Sequence, residues 1–306
     1  IIEAFADEPL SEESKDHELE MVDANLDQVK ELFFTKCKDS LWMLENNTPL
    51  WRGQRRAEDD YYLINTLNST RKSENTSNFY TVLIDENPNR PVELPKRSKS
   101  IICTTNNEVA GRYGARYAVI PFDNAKIGRT NQRDMWDVQV DVPEFNIRTV
   151  ERFNSVLQQL TVLGLDDDLE SLEVFSERLS KSFMYAEYPL NVRDGKKALL
   201  YAQTLNALRH SINDYKFKIE SDRISEAYNP GGLFSNFLET LFRAFSPNKL
   251  GLVAETPSSL QAVLNEKYPG EECWVSGQCL FIRDSVWASL VKENTKPIQE
   301  AVADKG

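Results

Sequence analysis

Histidine is nearly missing from this 306-residue chain, which holds only His17 and His210. His17 stands in an acidic N-terminal stretch, so histidine-based general-base catalysis and a histidine-rich metal site both lack material. Cysteine is sparse as well: Cys37, Cys103, Cys273 and Cys279 show no Cys-x-x-Cys spacing. That excludes the usual zinc pattern and the cysteine density of a disulfide scaffold, so no metal site and a reducing compartment are expected. Basic residues are in deficit, 36 Lys and Arg against 48 Asp and Glu, for a net charge of −12. General nucleic-acid binding and attachment to an anionic membrane need a basic face, so neither is expected. No apolar run approaches the roughly 20 residues that span a bilayer. A basic region followed by an apolar one is lacking at the N-terminus, so export by a signal peptide is not expected.

What is present is ordinary for a globular chain: 41% hydrophobic and 27% charged residues, enough for a sizeable core. Residues 1–20 carry eight acidic residues and one lysine and read as an acidic arm. Val22, Leu26, Val29, Phe33, Cys37 and Leu41 recur at spacings of three and four, which predicts a helix over 20–45. Asn46-Asn47-Thr48-Pro49 breaks it before a strand, Leu50-Trp51-Arg52-Gly53. A short helix is expected over 59–67, a strand or short buried segment over 79–84, and a strand through Ile101-Ile102-Cys103-Thr104-Thr105. Asn106 or Asn107 caps a helix over 108–113, with strands at 116–121 and near 136–140. From 147 to 232 three amphipathic patterns predict an inserted helical unit, the second behind Asp166-Asp167-Asp168, whose charge suits a helix start. A helix over 233–245, a strand over 250–254 and a short helix over 258–267 follow. Glu271 to Ile282 reads as a hairpin turning at Ser276-Gly277, which sets Cys273 and Cys279 face to face as packed thiols. Residues 284–306 read as a C-terminal tail, a short amphipathic piece followed by polar residues.

Some of these stretches carry chemistry. Arg52, at the end of an apolar strand, offers a planar fork of donors suited to a diphosphate. Cys103-Thr104-Thr105 ends a strand in hydroxyls, and Glu272 opens a late strand. Read alone, each has a plain alternative: a surface arginine, helix-capping hydroxyls, a solvated acidic pair Glu271-Glu272.

Their order, however, resembles the ADP-ribosyltransferase family in its arginine, serine-threonine-serine and glutamate class. Trp51-Arg52-Gly53 matches the opening aromatic-Arg-Gly. In the middle motif Thr104 matches the threonine, while Cys103 and Thr105 stand where serines are usual. The likeness is nearest to phage-encoded, virion-associated members, through Arg71-Lys72-Ser73, the run from Arg97 to Thr104, and Ala110 to Gly114. The resemblance implies an α+β fold: a split mixed β-sheet core with an N-terminal helix and a large helical insertion. Its parts are an arm (1–20), a first core segment (21–146), the insertion (147–232), a second core segment (233–283) and the tail. It implies NAD as substrate and a host protein target, with other virion proteins as further partners. The virion or the bacterial host cytoplasm is the place of action.

The implied catalytic residues are Glu272, Arg52 and Thr104, and the implied NAD-binding residues are Arg52, Gly53, Ser100, Cys103, Thr104, Thr105 and Tyr113. Glu272 would steady the oxocarbenium-like ribose as nicotinamide leaves. Tyr113 and Trp274 both qualify for stacking on nicotinamide. Gly270 stands two residues before Glu272, where arginine-modifying members carry Glu or Gln, so the acceptor residue stays open; a register one residue earlier makes Glu271 the catalytic candidate. The reading from another class is a virion structural protein with this fold and little or no catalysis.

Overall fold

The computed structural model describes residues 20–55, 58–67, 71, 79–142, 147–154, 239–265 and 272–303. Residues 1–19 of the acidic arm and nearly all of the predicted helical insertion lie outside them. The protein is α+β, built on a nine-stranded sheet in the order β1-β3-β11-β5-β2-β4-β10-β6-β9. These strands are β1 (Glu20–Asp23), β2 (Leu50–Gln54), β3 (Tyr61–Asn65), β4 (Ile101–Thr104), β5 (Ala115–Pro121), β6 (Lys126–Arg129), β9 (Val253–Glu255), β10 (Glu272–Ser276) and β11 (Gln278–Arg283). Every pairing in it is antiparallel, which corrects the expected mixed sheet. A separate pair joins β7 (Gln139–Val142) to β8 (Ile147–Thr149).

The helix expected over 20–45 begins later and in pieces. Asn25 caps α1 (Leu26–Lys36) by accepting the Gln28 N–H, and the Gln28 side chain returns the bond to the Asn25 N–H. This reciprocal cap fixes the start at Asn25 and leaves Glu20–Asp23 free to pair with β3. A 3₁₀ turn at Lys38–Ser40, pinned by Asp39 N–H donating to Asp123, separates α1 from α2 (Leu41–Glu45). The helix expected over 59–67 is instead strand β3, in which Tyr62 and Ile64 are buried and Tyr61, Leu63 and Asn65 half-buried. A period of two over aromatic and branched residues decides it. The run at 79–84 is helix α3 (Phe79–Asp85), buried on every side; a short apolar run cannot by itself separate a buried helix from a buried strand. Near 136–140 a 3₁₀ turn (Met135–Asp137) precedes β7. The described residues also hold helices α4 (Asn107–Gly111), α5 (Pro257–Asn265) and α6 (Asp284–Ala303) and a 3₁₀ turn at Arg97–Lys99, with residues 150–154 and 239–244 also helical.

The predicted hairpin is not formed. β10 pairs with β4 and β6, whereas β11 pairs with β3 and β5. Gly277, at φ 117°, turns one strand into the next without folding it back, a conformation open to glycine. Cys273 therefore lies opposite Cys103, and Cys279 opposite Ile64 and Pro121, so the two thiols do not face each other. All four cysteines are free and buried.

Alternation along β4 and β10 feeds two cores. Ile101, Cys103, Cys273 and Val275 join the first, with Phe33 of α1, Trp42 of α2 and Trp287 of α6. Trp274 and Ile102 join the second, with Phe79, Leu83, Phe153 and Phe245. Each such large side chain contributes about 1.5–3 kcal/mol by leaving water.

Gly53 is where α4 meets the sheet. A Cβ there would lie 2.1 Å from the Ala110 carbonyl oxygen and 2.8 Å from the Tyr113 Cβ. Gly53→Ala is expected to cost about 3 kcal/mol by forcing α4 off β2. Gly111→Ala is the control, because its added methyl meets nothing nearer than Arg116 Cδ at 3.4 Å. Urea unfolding of the two variants checks the contrast.

Candidate functional site

β2 and β4 are neighbours at a single registered pair, Trp51 with Thr104. Beyond it the ladder stops, and the Arg52 side chain crosses the opening to donate from Nη1 to the Ile102 carbonyl at 2.9 Å. Its Nε is buried without a partner. On the other edge of β4, Thr104 pairs with Glu272 of β10. Residues opposite each other on antiparallel strands project to the same face. By register it is Trp51, Thr104 and Glu272 that share a face; Arg52, the next residue of β2, lies on the same three consecutive strands, β2, β4 and β10, without a registered partner on β4.

Glu272 is anchored from two directions. Its Oε1 accepts Arg97 Nη2 at 2.5 Å, and its Oε2 accepts the Met135 N–H at 3.0 Å. Burial pushes the carboxyl's pKa up, but Arg97 and the Met135 N–H outweigh it and hold the group below its ordinary value. Arg97 is itself 1% exposed and lies between the rings of Trp274 at 4.8 Å and Tyr80 at 5.5 Å. Burial works against its charge, while Glu272 and Tyr80 more than restore it. Asp85 fixes the turn that presents Arg97, taking the Arg97 and Ser98 N–H groups on its two oxygens at 2.7 and 2.9 Å. Arg97 Nε and Nη1 have no partner.

A third guanidinium stands close by. Arg71 is tied to the same turn by its N–H donating to the Ser98 carbonyl at 2.7 Å. Burial, then repulsion from Arg52 and Arg97, lowers its pKa to about 10. Asp134 completes the cluster. Its carboxyl is pushed up to about 6 by burial and by the charge of Glu272.

The remaining sequence candidates divide. Cys103 lies within the field of Arg52, yet burial pushes its thiol up to about 12, so it stays a neutral packed group. Thr104 Oγ1 accepts the Asn106 N–H at 3.1 Å, and Asn106 in turn caps α4. Thr105 is half-buried at the end of β4. Gly53 serves the close approach of α4, and Tyr113 beyond that helix is 50% exposed. Ser100 is drawn away, its hydroxyl donating to the Lys96 carbonyl at 2.6 Å. Glu271 and Gly270 lie outside the described residues. Sequence reasoning gave Arg71 and Arg97 no role, although both stand in the motif stretches quoted for the resemblance. Asp134 sits in a polar loop with no signal of its own.

Among the described residues no helix is long and apolar enough to cross a membrane. Models of known protein families, curated proteins and solved structures were compared with the chain, and none matches.

Proposed function

We propose that this chain is an NAD-dependent ADP-ribosyltransferase of a bacteriophage, acting on a host protein in the bacterial cytoplasm. One observation carries the reading: the opening between β2 and β4 is lined by Arg52, and Thr104 and Glu272 lie in register on the adjoining strands. The sheet that parts beside Arg52 also suits the split core that the motifs imply. Arg52 and Arg71 supply charge and forked donors for the diphosphate. Glu272 faces the ribose, where positive charge grows as the bond from C1′ to the nicotinamide nitrogen breaks and its electron pair leaves with nicotinamide. A carboxylate already ionised and fixed in place stabilises that charge without reorganising. Thr104 borders the nicotinamide end of the site.

Release of nicotinamide from etheno-NAD, together with transfer of label from biotin-NAD to proteins of a bacterial lysate, tests this. Arg52→Ala and Arg71→Ala are each expected to raise KM for NAD by about ten- to a hundredfold, the worth of one charge-assisted contact. A specific feature favours a second reading, that of a virion structural protein: the Glu272 carboxylate is already engaged by Arg97 and Met135. Absence of both nicotinamide release and label, with the chain co-purifying in particles, would decide for that role.

A further inference from the structure

Trp274 holds a place in this site that stacking on nicotinamide does not describe. Its side chain is fully buried. The ring lies against Gly128, its register partner on β6. A Cβ at Gly128 would come within 2.1 Å of the ring's Cε2 and 2.3 Å of its Nε1, so glycine is what leaves room for the ring there. The Arg97 guanidinium lies over the same ring, with Cζ 4.8 Å from the centroid. Packed in this way, the ring is closed to nicotinamide.

Arg97 is confined in turn. Tyr80 of α3 takes the same guanidinium at 5.5 Å, and Trp136 lies against Tyr80 at 5.6 Å. Attraction between the cation and the two rings favours the arrangement. Trp274 Nε1 donates to the Pro95 carbonyl at 2.9 Å, which ties the ring to the stretch that presents Arg97. A guanidinium free to turn offers a carboxylate two parallel donors. Arg97 offers Glu272 one. Nη2 alone reaches Oε1, while Nε and Nη1 are buried without partners. Oε2 is thereby left to the Met135 N–H.

We propose that Trp274 is a positioning residue for Glu272, acting through Arg97: its ring stops the guanidinium from turning into a two-donor grip on the carboxylate. The proposal rests on the NAD reading above. With one oxygen on Arg97 and the other on the Met135 N–H, the carboxylate keeps a single orientation, on the strand position opposite Thr104. Without the ring, Arg97 turns, takes both oxygens and displaces the Met135 N–H. The ionised carboxylate is then held more tightly, but swung away from the ribose. Nicotinamide release slows at every pH, and the acid limb of kcat, which reports Glu272 taking up its proton, moves to lower pH.

Full-length wild type, Trp274→Leu and Trp274→Phe are compared for nicotinamide release from NAD across pH 4 to 8, with urea unfolding alongside. Trp274→Leu is expected to lower kcat by about a hundredfold, the effect of misplacing a reacting group by roughly 1 Å, with KM for NAD little changed. Its acid limb should move down by about one pH unit. Trp274→Phe keeps a ring beside the guanidinium and should hold both kcat and the limb near wild type. If Trp274→Leu does not fold, Gly128→Ala replaces it: the added methyl displaces the ring, and kcat should fall likewise. Unchanged kcat in the leucine variant, or equal losses in the leucine and phenylalanine variants with the acid limb in place, overturns the assignment and leaves Trp274 a packing residue. If wild type releases no nicotinamide, the NAD reading fails instead. Titration of the Glu272 carboxyl by carbon NMR, with labelled glutamate and Glu272→Gln to assign the signal, then decides the positioning role separately. A midpoint lowered in Trp274→Leu and kept in Trp274→Phe supports it; a midpoint unmoved in both overturns it.

Discussion

Replacing Glu272 with glutamine is expected to lower kcat for nicotinamide release by about a hundred- to a thousandfold, the usual effect of removing one group aimed at a developing charge. KM should move far less if, as proposed, the carboxylate faces the ribose and acts mainly as charge develops there. Glutamine has the shape of glutamate but offers one acceptor oxygen where two are in use, by Arg97 Nη2 and the Met135 N–H. One of these contacts is lost, so unfolding must be followed alongside the kinetics. A variant that remains folded at the assay temperature and still releases nicotinamide at the wild-type rate would remove Glu272 from the mechanism.

Substituting Arg97 by methionine should give the largest loss of stability, about 3–5 kcal/mol at neutral pH, because it strands the Glu272 carboxylate in the interior. The side chains of the pair are only 2% and 14% exposed, so solvent gives little help. The sign with pH is definite. In wild type the carboxyl of Glu272 is held below its ordinary value, so its contribution is full above the unfolded pKa and is lost as pH falls through the folded one. Without Arg97, burial raises the folded pKa, and stability is lost as pH rises. The gap between the proteins should therefore be widest at pH 7 and narrow toward about pH 4, where glutamate takes up its proton. Urea unfolding at both values measures this. Adding Glu272→Leu to Arg97→Met should recover much of the loss, since apolar replacement of a buried ion pair is often neutral.

Much of this arrangement could be read from sequence, and the rest could not for definite reasons. Alternation or clean capping marked β2, β4, β5 and α4, and the corresponding residues carry those elements. The run at Phe79–Asp85 was legible as buried but not as a helix, because a fully buried segment shows no polar face to reveal its period. The supposed hairpin misled because Ser-Gly signals a change of direction but not its extent; partner strands contributed by remote segments decide that. Residue type and order singled out Arg52, Thr104 and Glu272, which the fold sets on the consecutive strands β2, β4 and β10. Arg97 escaped because its role depends on Asp85 shaping a turn and on Trp274 and Tyr80 flanking the guanidinium, all distant in sequence. The neighbourhood of Asp134 was not legible because only the fold brings its loop beside Glu272, through the Met135 N–H.

The bent segment from Glu272 to Arg283 also governs how the chain can be made. β10 lies between β4 and β6, and β11 between β3 and β5. Take both away and the nine-stranded sheet falls into unconnected groups, β1-β3, β5-β2-β4 and β6-β9. During synthesis these groups must wait with open edges until residues 272–283 clear the ribosome, a period of aggregation risk for any strand lacking its neighbour. A nascent chain stalled just before Glu272 would consequently be a client for chaperones or proteases, however sound its earlier segments.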